Sequence, residues 1–245
     1  FAATEMFVDG FMFLYQENIL KRRVYDDLHI QRLLNEKKIT EEVTPRTLEL
    51  LMQRGAVRGP LSASEFSYLK KWGIFREDLG FESGMILHPD GSTAEAHLDR
   101  LESRKFIFEK CLGSRLKNAA IMHGGFFLGP TAFYDFLKNM SVEERSLFHM
   151  KPVSKINQLY GHEELDKLHR KNARFVNTCL KMTLMGAAAS DGLDSGQVVS
   201  GIGGQYNFVA QAHALPDGRS ILNLRAVRGN GGGLASNIVW NYGHV

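Results

Sequence analysis

An α/β fold is predicted for these 245 residues: a mainly parallel sheet flanked by helices. Three observations predict it. From about residue 116 onward, short apolar runs alternate with helical stretches, the pattern of parallel strands covered on both faces. Residues 1–115 read mainly as helix. Twelve of the 24 glycines fall in the last 60 residues, so tight loops, and with them the site, are expected there.

The elements follow in order. Phe11, Leu14, Tyr15 and Ile19 keep a 3.6-residue period. Thr44-Pro45 places an N-cap and a first-turn proline before Leu48, Leu51 and Met52. Ser62 to Glu65 reads as a capping box ahead of Phe66, Leu69 and Trp72. Residues 94–112 form the longest helical candidate, although Arg104 to Phe108 also suits a short strand. Ala119 to His123 and Phe126 to Leu128 read as strand, Pro130 opens a helix, and Ser141 to Glu144 forms a second capping box. A polar-faced helix is expected over 161–171, a β-rich run over 174–185, a short strand over 197–199 and a helix over 205–214. Ser220 to Leu224 and Asn237 to Trp240 read as buried strands, the last running on toward Val245. The chain begins at Phe1 without a methionine and stops within that last strand, so it reads as a fragment of a longer protein.

Composition excludes several classes. Hydrophobic residues at 44% and charged residues at 23% are those of a globular chain. Thirty basic against 27 acidic side chains leave a net charge of +3, too small to argue for nucleic acid. No apolar run reaches membrane-spanning length, so no membrane partner is expected. Cys111 and Cys179 are too distant in sequence to suggest a disulfide framework; buried thiols in a reducing, cytoplasmic setting are the simpler reading.

The sharpest local signal is Ser200-Gly201-Ile202-Gly203-Gly204-Gln205, between the 197–199 strand and the 205–214 helix. Glycines let backbone approach a ligand closely, and amides at a helix N-terminus favour an anion or oxyanion. The dinucleotide fingerprint fails because Tyr206 stands at its last glycine, and no Gly-Lys-Ser/Thr follows for a phosphate loop. A tight turn with no ligand is the alternative. Gly229 to Gly233 reads as a connection rather than a phosphate cradle. His162-Glu163-Glu164 is not a zinc motif, and no third ligand follows at a useful spacing, so no metal is expected. A serine or cysteine hydrolase lacks its motif, with Cys179 in an apolar strand.

Several segments together resemble the family I CoA-transferases, specifically the acetyl-CoA hydrolase / acetate CoA-transferase family. Thr4-Glu5-Met6-Phe7-Val8-Asp9-Gly10 is similar to the family's TEM-x-x-(D/E)-G segment. Gly125-Phe126-Phe127-Leu128-Gly129 with Phe133-Tyr134-Asp135-Phe136 resembles its F-x-x-G…L-Y-D-F stretch. Asn177-Thr178-Cys179-Leu180 resembles N-S-A-(L/I). Ser200 to Phe208 matches S-G-(V/I)-G-G-Q-x-D-F most closely, and Ser220-Ile221-Leu222 and Ser236 to Val239 follow in the expected order. The match covers residues 1–30 and 118–245, so the resemblance implies an open, mainly parallel sheet flanked by helices with a helical insert at about 31–115.

The resemblance implies a CoA-transferase-like C-terminal half whose N-terminal half lies outside the chain, possible homodimers, and a role in acetate metabolism. Coenzyme A, carried as a thioester such as acetyl-CoA, and small carboxylates are the implied ligands. The family's glutamate forms an acyl anhydride and then a glutamyl-CoA thioester. Backbone of Gly201, Ile202, Gly203, Gly204 and Gln205 would hold the oxyanion, and Lys151-Pro152-Val153 resembles a CoA-contacting stretch.

One departure changes the chemistry. Where the family reads N-S-A-L-E-V-D-L, this chain has Lys181 in the glutamate slot and Thr183 at the next aspartate. An ammonium cannot form the anhydride, and acylating it would give a stable amide. Three routes stay open: another carboxylate substitutes, with Glu5 and Asp191 nearest; water attacks directly while Lys181 steadies charge; or the domain binds CoA without chemistry, as a silent or regulatory module. A sugar-phosphate isomerase-like activity is a further, weaker reading, for which no acid/base pair stands out.

Overall fold

The computed structural model describes residues 1–230 and 233–241. The chain divides into two compact units, Phe1–Lys151 and Pro152–Val245. It is α/β, with parallel strand pairing in both.

The first unit opens with β1 (Ala2–Phe7) and α1 (Asp9–Gln16), then β2 (Val24–Tyr25), α2 (Leu28–Asn35), α3 (Pro45–Gln53) and α4 (Ala63–Lys71). A small antiparallel sheet follows, β3 (Gly80–Glu82), β4 (Met85–Leu87) and β5 (Thr93–Glu95). Next come α5 (Leu101–Phe106), β6 (Ala119–Ala120), β7 (Met122–Phe127), α6 (Thr131–Asn139), α7 (Val142–Arg145) and β8 (Phe148–Met150). β1, β7 and β8 form a parallel ladder in which Ala3 faces His123 and His123 faces His149. Its side chains pack around Phe7, which lies edge-on to Phe133 at 5.0 Å and stacks on Phe148 at 5.4 Å.

The larger core of this unit gathers α2 to α5 and the small sheet around Tyr25, Leu33, Leu48, Leu69, Phe75 and Leu98, all fully buried. Local chemistry sets the helix starts. Ser62 Oγ accepts from Glu65 N, and the Glu65 carboxylate accepts from Ser62 N at 2.8 Å, closing the expected box. Thr44 caps α3 with Pro45 as its first residue, and Ser141 with Glu144 repeats the box at α7. Gly73, at φ +70°, ends the turn after α4, and a Cβ on Gly113 would collide with the Gly73 carbonyl, so two backbones meet where no side chain fits.

The helix expected over 94–112 begins later. Thr93–Glu95 pair with Met85–Leu87 across a turn at Gly91, which captures Ala94 and Glu95 into strand despite their helical propensity. The helix starts at Leu101 and widens into a π-helical turn, Ile107–Cys111, that puts Ile107 and Cys111 into the core. The alternative strand at Arg104 to Phe108 does not form.

The second unit contains α8 (Val153–Asn157), α9 (Glu163–His169), β9 (Arg174–Thr178), β10 (Lys181–Thr183) and β11 (Ala188–Ala189). They are followed by α10 (Gln205–Ala214), β12 (Arg219–Asn223), β13 (Val227–Asn230), β14 (Gly233–Ser236) and β15 (Ile238–Val239). β9 and β12 pair in parallel, as do β10 and β15. Phe208 of α10 meets Phe175 at 6.0 Å and covers one face of the β9–β12 pair. Arg170 ties α8 to α9, donating to the carbonyls of Lys155, Ile156 and Gln158, while Lys155 Nζ meets Asp166 at 2.9 Å. Residues 197–199 are not a strand: Val198 makes a single bridge to Gly192, because Gly196 at φ +79° turns the chain back on itself. The strands expected to be buried near the C-terminus have open faces, with Ile221 and Ile238 exposed. The tail of the last expected strand, residues 242–245, and the glycines at 231–232 lie outside the described residues. No helix among the described residues is long and apolar enough to cross a membrane.

Candidate functional site

Lys181 opens β10, between Ala189 of β11 on one side and the start of β15 on the other. Its strand position buries the side chain to 4% exposure, so the ammonium requires a partner. Asp194 supplies it: both carboxylate oxygens lie 2.8 Å from Lys181 Nζ. Asp194 itself is 59% exposed, so the pair is half in water and half in protein. Nothing in the local pattern points to this partner, thirteen residues away across a loop.

That loop, residues 190–200, is organised by its own backbone. Val199 N and Ser200 N both donate to the Asp191 carbonyl, and Leu193 N donates to Gln197 O. Beside it lies a cleft of about 550 Å³, walled by Ala188 and Ala189, by the loop, and by Ile202, Gln205, Tyr206 and Val209 of the α10 side. The Ser190 hydroxyl on this wall is buried without a hydrogen-bond partner among the described residues.

The glycine-rich turn forms as expected between loop and helix. Gly203 adopts φ +56°, a left-handed conformation that an L side chain resists, and Gly204 caps α10. Gln205 N is already committed to Ile202 O at 3.3 Å, whereas the Gly203 and Gly204 N–H groups find no acceptor among the described residues. The Gly201 and Ile202 N–H groups likewise find none, so four of the five expected oxyanion donors are open among the described residues, and Ile202 and Gln205 line the cleft.

The other expected site residues sit elsewhere in the chain. Glu5 stands on β1 of the first unit. Lys151 ends that unit, with its ammonium on Asp26 at 3.0 Å and its N–H on the Gly124 carbonyl. Pro152 caps α8 and Val153 begins it, in the second unit. Cys179 is buried, and burial pushes its thiol up, as suits packing rather than nucleophilic work. His123 is buried and stacks on His149 at 5.9 Å. Among the described residues no group of three or more His, Cys, Asp or Glu is placed to hold a metal.

The order of these parts, β9, the Lys181 strand, the glycine-rich turn and α10, lies within a stretch that matches a known domain. Residues 129–245 match the acetyl-CoA hydrolase/transferase C-terminal domain. That stretch belongs to the acetyl-CoA hydrolase/transferase family. The chain is similar to 4-hydroxybutyrate coenzyme A transferase from Clostridium kluyveri, at 26% identity over 106 residues, or 43% of this chain. The chain spans about a fifth (22%) of that relative's length. A solved structure of a point mutant of RipA aligns at 24% identity with a TM-score of 0.39, covering 51% of this chain and 25% of the other.

Proposed function

We propose that the chain forms part of an acyl-CoA-handling enzyme that transfers CoA from, or hydrolyses, a short acyl-CoA. The observation that carries this reading is the convergence on one cleft of the glycine-rich turn and the strand next to β10, within a domain of this family. The open N–H groups of Gly203 and Gly204 would stabilise the oxyanion formed as the thioester carbonyl is attacked. With Lys181 in place of a glutamate, water is the attacking group: its oxygen adds to the carbonyl, the C–S bond breaks, and acid and thiol are the products. Lys151, Pro152 and Val153 would contact CoA, and Glu5 stays a candidate carboxylate. In this reading residues 31–115 are an insert in a C-terminal half, the N-terminal half completes the site, and the protein works on small carboxylates in the cytoplasm.

A second reading, a silent CoA-binding module, is favoured by one specific feature. The Lys181 ammonium is buried and held by both oxygens of Asp194, which leaves it no lone pair and little freedom. The two readings separate when the intact protein is incubated with acetyl-CoA, with and without acetate or succinate, while free thiol and acyl exchange are followed together. Thiol release without exchange supports the hydrolase. Exchange into the added acid would require a working carboxylate. Tight binding with neither leaves the module.

A further inference from the structure

We propose that the cleft beside β11 selects an uncharged acyl chain of four carbons or more, discriminating against acetyl on one side and dicarboxylic acyl groups on the other. The inference rests on the acyl-CoA reading above and adds the substrate class.

Size is the first argument. The cleft measures about 550 Å³, within the range of about 300–1,000 Å³ typical of sites for whole organic ligands. An acetyl group would leave most of such a wall without contacts, and unfilled apolar wall forfeits dispersion and burial. The second argument is the lining: Ala189, Leu193, Val198, Ile202 and Val209 present methyl and branched apolar groups. A chain laid against them gains with each added methylene until the cleft is full.

Charge is the third argument, and it comes from three places. Asp191 lines the cleft, and its carboxylate meets no partner among the described residues. Among the described residues, no Lys, Arg or His lines the cleft. The nearby cation of β10, Lys181, is already matched by Asp194. A second carboxylate on the acyl chain would therefore meet a like charge with no counter-charge to receive it, which is how a site rejects a ligand of the right length. Asp191 and Val209 are thus assigned as specificity-determining residues.

The test is binding of the intact protein, by titration calorimetry, to free CoA and to acetyl-, butyryl-, hexanoyl- and succinyl-CoA analogues in which a CH2 replaces the thioester sulfur, so that turnover does not intrude. Butyryl and hexanoyl analogues are expected to bind at least about tenfold tighter than the acetyl analogue. The succinyl analogue, equal in length to butyryl, is expected to bind about tenfold or more weakly than butyryl. Asp191→Asn should narrow the succinyl-to-butyryl gap at least about threefold. Val209→Phe should reduce the hexanoyl-to-acetyl preference at least about fivefold. Equal affinity for acetyl and hexanoyl analogues overturns the proposal alone, as does free CoA binding as tightly as the hexanoyl analogue, which would give the cleft to the pantetheine arm. An unchanged succinyl gap in a folded Asp191→Asn protein overturns the charge argument and the proposal with it. If neither CoA nor any analogue binds, the acyl-CoA reading falls as well.

Discussion

Residues 24–119 and residues 174–239 are both built from short strands and short helices, yet they treat apolar surface in opposite ways. In the first region Tyr25, Leu33, Leu48, Leu51, Leu69, Ile74, Phe75, Ile86 and Leu98 are wholly excluded from water and form one cluster. In the second, Val176 and Ile221, which face each other across the β9–β12 pair, are both exposed, as are Leu184, Met185 and Trp240. Parallel pairs are ordinarily covered on both faces, and α10 covers only one. Stability in the first region is therefore a property of packed side chains. In the second it rests more on backbone ladders, polar ties and the Lys181–Asp194 pair.

The largest effect that tests this contrast is Leu69→Ala or Phe75→Ala, each expected to cost about 3–5 kcal/mol in urea unfolding. Ile221→Ala, already part-exposed, should cost under about 1 kcal/mol. Equal costs would break the comparison. Next is the ion pair, which is asymmetric. Asp194→Ala strands a buried ammonium and should cost about 2 kcal/mol, less than for a fully buried pair because Asp194 is itself in water. Lys181→Met leaves only an exposed carboxylate and should be near neutral. A larger loss from Lys181→Met than from Asp194→Ala would mean that the ammonium, not its desolvation, governs the loop.

Ser62→Ala removes a cap from the well-packed region and should cost about 1 kcal/mol. Thiol labelling of the native protein compares the regions directly. Burial pushes the Cys111 thiol up to about 12, and Cys179 is raised in the same direction. Both should resist labelling, but Cys179 should yield first because its surroundings open at lower cost. The smallest effect is pH dependence in the first unit. Burial, helped by the Lys151 ammonium, holds the His149 imidazole below its ordinary 6.5. The unfolded chain then binds more protons between the lowered value and 6.5, so His149 adds stability that is fully present above 6.5 and lost as pH falls through that window. His149→Phe should flatten this part of the stability curve.

What can be read from the sequence divides by range. Thr44-Pro45, Ser62 with Glu65, Ser141 with Glu144 and the glycine turn before Gln205 are legible because their signals lie within a few residues of one another. Lys181 stands out in the sequence as a departure from the pattern the chain resembles, but its partner Asp194 does not, since a loop joins them and no period links them. The helix expected over 94–112 is misplaced because strand pairing between Thr93–Glu95 and Met85–Leu87 outweighs local propensity. The open faces of β12 and β15 escape the sequence for a related reason: an apolar run announces a strand, but not what covers it.

Val24 and Tyr25 pair antiparallel with Ala120 and Ala119, so the chain leaves and re-enters the β1–β7 neighbourhood at one point. Mechanically this is a clasp. Tension applied between the ends of the first unit would run through the β1–β7–β8 ladder, and the residues between Tyr25 and Ala119 would carry none of it until those two strand pairs parted.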